Sequence, residues 1–470
     1  MEGNQRHVVI VGGGISGLAA AWFLRQGGGE RVRVTVLEGG PRVGGKLHAS
    51  EVAGVSVDEG AESMLARRPE GIELARMVGL GADLVDPGTT QAAIYTRGAL
   101  RPMPRGQVMG VPGDLTELAR SGIISPGGLL RVPLDQVLPA TLVRSDVSVA
   151  SYIRARMGAE VVERLVEPLL GGVYAGRADM LSLEATMPRI ATAARSERSL
   201  LGAVRDIVHE TPKDAGPVFT SLRGGLGRLP EAVAKASGAD IRTGVTVREL
   251  RRTQEGWRLV TGPVPRPEIV EADAVIVAVP ATPASRLLMD AVPKAATELA
   301  RIEYSSMAIV TLAYPAAAFP EPPTGSGYLV PPVEGRAVKA ATFTSVKWPH
   351  LVESDPSVVL VRCSIGRIGE EQVLQRDDTE LVSLASAEMG EVVGVRGLPL
   401  DSRVSRWGGS LPQYNVGHLD RVARVRAAVA VEPGLAVCGA AYDGLGVPAC
   451  VSTARGAAAR ILDHLGDRGE

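Results

Sequence analysis

The feature that most constrains this chain lies near its start, where His7-Val-Val-Ile-Val11 runs straight into Gly12-Gly13-Gly14-Ile15-Ser16-Gly17 and then Leu18-Ala-Ala-Ala-Trp-Phe-Leu. The first run reads as a short buried strand, and the Ala/Leu run to Arg25, closed by Gly27-Gly28-Gly29, reads as a helix. A second strand, 32–37, alternates with charge and ends at Glu38. Gly-x-Gly-x-x-Gly between a strand and a helix is an arrangement that holds a dinucleotide. Gly12 permits the tight turn, Gly14 lets the backbone approach the diphosphate, and Gly17 lets helix and strand pack closely. The helix start presents free N–H groups and a positive dipole end, so Gly13, Ile15 and Ser16 belong to the same site. Glu38, about 20 residues past the last glycine, is positioned to accept hydrogen bonds from both ribose hydroxyls and disfavours a 2′-phosphate. Residues 8–24 carry no charge, but their glycines and the lack of a basic lead-in argue against a signal peptide or a membrane span.

A second Gly-rich stretch selects the dinucleotide. Glu38-Gly39-Gly-Pro-Arg42-Val-Gly44-Gly45-Lys46 follows at once. NAD needs no second basic turn here, whereas FAD is longer and lies extended, so more backbone passes near it and Arg42 and Lys46 reach its phosphates. Asp58-Glu-Gly60-Ala61-Glu62-Ser63 reads as a turn brushing the flavin. Near the other end, Cys438-Gly439-Ala-Ala-Tyr-Asp-Gly-Leu-Gly446-Val447-Pro448 leads into a helix expected over about 451–465, with Pro448 suited to a first helical turn. A helix start aimed at the flavin pyrimidine favours the negative charge of the reduced ring. The three cysteines form no CxxC pair, which argues against a metal site or a disulfide framework and fits a reducing, cytoplasmic compartment. With 51 Lys and Arg against 52 Asp and Glu, nothing in the charge balance calls for nucleic acid.

A chain of 470 residues has room for two or three domains. Strand-like runs at 274–279 and 435–440 look like returns to the first sheet, so the domains are expected to be woven from discontinuous pieces. The expected class is α/β (α+β overall). A Rossmann-like FAD-binding domain takes 1–88, 213–282 and 405–470, a mixed-sheet substrate domain takes 89–113 and 283–404, and a helical subdomain takes 114–212. Within the last, Ile153, Met157, Val161, Leu165 and Leu169 recur every four residues, predicting one amphipathic helix from Ser148 to Gly171-Gly172. Strands are also expected at 308–314 and 358–365.

Taken together these residues resemble the oxygen-dependent porphyrinogen oxidases of haem biosynthesis, within the amine-oxidase-like flavoprotein superfamily. Besides the two nucleotide motifs, the resemblance rests on Arg101–Pro112 (RPMPRGQVMGVP), Glu167–Gly176 (EPLLGGVYAG), Lys347–His350 (KWPH), Arg406-Trp407 and Leu411–His418 (LPQYNVGH), and covers nearly the whole chain. The MP-x-G-x-x-MG-x-P and KWPH stretches look most like the Gram-positive branch, which implies oxidation of coproporphyrinogen III to coproporphyrin III. Noncovalent FAD and O2 serve that reaction, with H2O2 released in each of three two-electron cycles. The resemblance implies that Val247 meets the adenine through its backbone, that Trp407 lies near the flavin, and that Gly446, Val447 and Pro448 line its isoalloxazine end. It also places Arg68, Arg101 and Arg105 around the substrate pocket, where bidentate pairing suits propionates, with Tyr174 beside them. No catalytic residue is nominated, since aromatisation drives the reaction and positioning is the protein's task. His350 and His418 are read as structural. The alternative substrate is protoporphyrinogen IX; more distant alternatives are an amine oxidase or carotenoid desaturase, or a flavoprotein without turnover. Peripheral membrane contact and transient handover to a haem-pathway partner such as a ferrochelatase are both compatible with this reading.

Overall fold

The computed structural model describes residues 5–467 except 142, 211, 213–215 and 354. Its nucleotide sheet has five parallel strands in the order Asp240–Arg242, Val32–Leu37, Arg6–Val11, Ala274–Val277 and Leu435–Val437. The central strand is covered on both faces, which is why it reads as an unbroken apolar run. Val8 and Ile10 face the helices Ile15–Gly28 and Val447–Asp467, while Val9 and Val11 face a core built around Trp257 and Leu259. Each such side chain contributes about 1.5–3 kcal/mol on full burial. The uncharged stretch near the N-terminus is therefore sheet core and helix core. Among the described residues no helix is long and apolar enough to cross a membrane.

A second, seven-stranded sheet runs in the order 401–412, 304–315, 358–365, 338–343, 327–329, 93–96 and 99–102. Its neighbours are antiparallel except for the parallel pair Gly327–Leu329 and Ala93–Thr96. The two runs expected at 308–314 and 358–365 are adjacent strands here, with Val310 opposite Cys363. Helices between Leu115 and Glu210 enclose a separate apolar core that includes Ile153, Leu165 and Leu201. This is the α/β architecture with a mixed second sheet and a helical unit that the sequence implied.

One element departs from expectation. The single helix predicted from Ser148 is three pieces: Val149–Met157 capped by the Ser148 hydroxyl, a short turn Ala159–Val161 passing into a π-helical turn Val162–Val166, and Glu167–Tyr174. Gly158, at φ 93°, stops the first piece, a conformation that costs a residue with a Cβ. The π turn adds a residue to the repeat, so the apolar stripe steps from Leu165 to Leu170, which is fully buried, rather than to Leu169. Gly171-Gly172 does not end the last piece, which continues to Tyr174 and closes at Ala175 in the left-handed region.

Candidate active site

Between the nucleotide sheet and the second sheet lies a cavity of about 610 Å³. One end is built by the Gly-rich turn. Its N-terminal strand stops at Val11, the helix begins at Ile15, and Gly12, Gly14, Ile15 and Ser16 line the cavity. A Cβ on Gly14 would meet nothing within 4 Å, so the space beside its backbone is open to a ligand, while a Cβ on Gly17 would collide with the Gly12 carbonyl that the helix packs against. Gly13 lies behind this surface and donates its N–H to Glu38 Oε2 at 2.7 Å; Gly40 donates to Oε1 at 2.7 Å. Those two bonds fix the Glu38 carboxylate at the cavity wall with acceptor capacity remaining on both oxygens, which suits a vicinal diol.

The second turn folds against the first: Gly44 donates to the Gly13 carbonyl at 2.8 Å, and Gly44, Gly45 and Lys46 line the cavity. Burial lowers the Lys46 ammonium from its ordinary value, as expected where an anionic ligand completes the site. Arg42 donates to the Val43 and Gly45 carbonyls and braces the loop instead of lining the cavity. Gly39 passes beside Thr246, and the nearby Val245 N–H donates to the Glu38 carbonyl. Val247 therefore starts its strand close to the glutamate but outside the cavity wall.

Next to the second turn, where Gly60 packs on the Lys46 carbonyl, Gly60, Ala61, Glu62 and Ser63 form one edge of the cavity. Trp407 lines the wall and donates its indole N–H to the Glu59 carbonyl at 2.9 Å. Gly439, Gly446, Val447 and Cys450 also line the cavity, Gly439 beside Ser16, and the helix Val447–Asp467 starts here, which brings the positive end of its dipole to the cavity wall. Pro448 sits in that first turn but outside the cavity lining. The residues present therefore fit an extended dinucleotide: an open backbone at the diphosphate turn, a fixed carboxylate for the ribose, a desolvated cation, and a helix start for a developing anion.

None of Arg68, Arg101, Arg105 and Tyr174 is among the residues lining this cavity. Arg68 pairs with Glu70 at 2.5 Å, Arg101 donates to the Thr96 and Arg97 carbonyls, and Arg105 is exposed. Tyr174 is buried against Tyr414 at 5.7 Å, and burial pushes its hydroxyl up to about 12. Its neighbours Gly172 and Val173 face the cavity instead. His418 is fully buried and stacked on Tyr414, and burial lowers its imidazole to about 4.

Several lining residues went unnoticed in the sequence. Tyr304, Met307 and Ile309 come from one strand of the second sheet, Ala340 and Thr342 from another, and Arg362 and Ser364 from a third. Only the strand register puts Ile309 opposite Ser364 and Arg362 opposite Thr342. Arg362, 6% exposed, donates to Glu62 Oε2 at 2.6 Å and to the Gly60 carbonyl at 2.5 Å, while Lys347 holds Glu62 Oε1 at 2.7 Å. Burial alone would raise the Glu62 carboxyl, but the two cations outweigh it and hold it at about 2. The KWPH stretch was a usable signal for Lys347; nothing local marked Arg362.

Residues 15–462 match the family of flavin-containing amine oxidoreductases, and the chain belongs to that family. It is an oxidoreductase of the flavoprotein class. Within that class it is 32% identical to the coproporphyrinogen III oxidase of Bacillus subtilis (strain 168), over 99% of this chain and 100% of that one. It is 37% identical to the coproporphyrinogen III oxidase of Mycobacterium tuberculosis (strain ATCC 25618 / H37Rv), over 98% of each. A crystal structure from Exiguobacterium sp. 255-15, assigned as a protoporphyrinogen oxidase, has a TM-score of 0.86 at 32% identity and covers 98% of this chain and 99% of that one. The family resemblance carried by the motifs is borne out.

Proposed function

We propose that this protein oxidises coproporphyrinogen III to coproporphyrin III in the cytoplasm, with noncovalent FAD, consuming O2 and releasing H2O2. The observation that carries the proposal is a single cavity whose one end is a dinucleotide cradle and whose other wall is the largely apolar face of a second sheet. Full-length identity to coproporphyrinogen III oxidases supports the same substrate. FAD supplies a two-electron hydride acceptor that O2 returns to its oxidised state. Glu38 holds the ribose, the N–H groups at Gly14 to Ser16 and Lys46 hold the diphosphate, and the start of the helix at Val447 offsets negative charge at the ring. Met307, Ile309, Val173 and Trp407 offer an apolar surface that orients a macrocycle and excludes water. In this account the FAD-binding domain comprises 1–88, 213–282 and 405–470, the substrate domain 89–113 and 283–404, and the helical subdomain 114–212.

Cys450 lines the cavity, but burial raises its thiol, and a protonated thiol is a poor nucleophile toward a flavin. This supports noncovalent FAD: after acid precipitation the flavin belongs in the supernatant, and yellow colour in the pellet contradicts it. One observation favours protoporphyrinogen IX as a second reading. Among the described residues lining the cavity Arg362 is the one arginine, which offers less to four propionates than the three arginines expected from the sequence. Anaerobic addition of coproporphyrinogen III should bleach the bound flavin, and admitting air should restore its colour. A flavin that keeps its colour under excess porphyrinogen contradicts the proposal.

A further inference from the structure

Cofactor and substrate binding leave most of the segment Lys347-Trp348-Pro349-His350 unexplained. Lys347 pairs with Glu62. Trp348 is 2% exposed, and its indole N–H meets no acceptor among the described residues, an arrangement native interiors avoid. Trp348 and His350 line a second, small cavity with Asp58, Glu62 and Ser221. Its volume of about 10 Å³ corresponds to roughly one water, and its wall is polar enough to hold one. Glu62 lines both this cavity and the large one. The Asp58 carboxylate accepts from the Leu226 and Gly227 N–H groups at 2.8 and 2.9 Å, which leaves acceptor capacity for a further donor.

We propose that one internal water, held by the Trp348 indole N–H between Asp58 and Glu62, is the proton outlet of the active-site cavity and opens toward His350. The water site stands on the small cavity and the unpaired indole; its use as an outlet rests on the flavin-oxidase function proposed above. Each cycle removes a hydride and a proton from the substrate, and O2 takes the hydride's electron pair with its proton, plus one further proton, to leave as H2O2. Substrate-H2 plus O2 thus gives substrate plus H2O2. The proton shed at the substrate and the proton taken up at peroxide need not meet, so a route through the wall lets each exchange with solvent. Asp58 faces Arg362 and Glu62, Glu62 faces Lys347 and Arg362, and His350 faces Arg223 and Glu353. Burial lifts the Asp58 carboxyl to about 6, against the Leu226 and Gly227 N–H groups and Arg362, so Asp58 takes up and releases a proton just below neutrality. Glu62 stays ionised and orients the water.

The test uses the FAD-loaded enzyme. A crystal structure at a resolution that shows waters must place one within hydrogen-bond distance of Trp348 Nε1, and Trp348→Phe must lose it. A dry cavity overturns the proposal. In stopped flow, the rate of flavin reoxidation by O2 should show an inflection near pH 6. Asp58→Asn should abolish that inflection and slow the step roughly tenfold or more, and Asp58→Glu should keep the inflection. Trp348→Phe should slow the step in the same direction, which preserves the test if Asp58→Asn does not fold. A reoxidation profile in Asp58→Asn or Trp348→Phe that superimposes on the wild type sinks the outlet. Flavin content is measured separately: a wild-type chain that takes up no FAD defeats the flavin function, while the crystal structure still judges the water site.

Discussion

At the scale of single residues, charge burial dominates. Glu62 is a carboxylate held by two cations in a poorly hydrated wall. Removing one member of such a cluster is costlier than its net contribution, because the others stay buried without a partner. Glu62→Gln should destabilise the fold by about 3 kcal/mol at pH 7, measured by denaturant unfolding. Because its folded value is depressed to about 2, the stability Glu62 contributes is fully present above the ordinary glutamate range and is lost as pH falls through 2. The gap between wild type and variant should therefore narrow on acidification; a constant gap contradicts the assignment. His418 is a base, buried neutral, and shows the same direction of loss. Its folded value near 4 lies below the ordinary 6.5, so the unfolded chain binds more protons between those values and stability falls as pH drops through that window. His418→Gln should flatten the slope of unfolding free energy between pH 6.5 and 4, and an unchanged slope would mean that His418 is not buried neutral.

At the scale of elements, the nucleotide cradle depends on backbone approach. Gly60 packs so closely on the Lys46 carbonyl that a Cβ there collides with main chain and crowds the Trp407 ring as well. Gly60→Ala should shift that edge of the cavity and weaken FAD affinity tenfold or more, roughly 1.4 kcal/mol; titration of the apoprotein by flavin fluorescence quenching measures it, and wild-type affinity would contradict it. The strand-turn-helix and the acidic end of the second strand were legible because each is local: a glycine spacing, an apolar run, a charge at the strand's end. The wall of the second sheet was not legible. Arg362 and Ser364 share a face by strand alternation, but Ile309 joins them only through the pairing of strands distant in sequence, and a one-residue slip would turn it away. The Ser148 helix departs from expectation because a four-residue apolar repeat is blind to a π turn, and the glycines around Tyr174 do not tell which of Val173 and Tyr174 lines the cavity. Arginine content near a pocket segment does not report direction either: Arg101 turns back to its own hairpin's carbonyls.

At the scale of the molecule, three distant stretches of chain meet in one sheet, so the cofactor site is assembled only when residues 6–37, 240–277 and 435–437 are together. A ligand spanning that junction stabilises the native state alone. FAD at 100 times its dissociation constant should add about 2.7 kcal/mol to unfolding free energy and raise the melting temperature in proportion to its concentration's logarithm. A melting temperature independent of FAD would mean that the cavity does not bind it. The central claim is tested most directly by aerobic porphyrin fluorescence with the purified holoenzyme, offered coproporphyrinogen III and protoporphyrinogen IX separately. The account predicts product from both or from the first alone, with kcat/KM higher for coproporphyrinogen III. A higher kcat/KM for protoporphyrinogen IX, or no fluorescence from either, would contradict it.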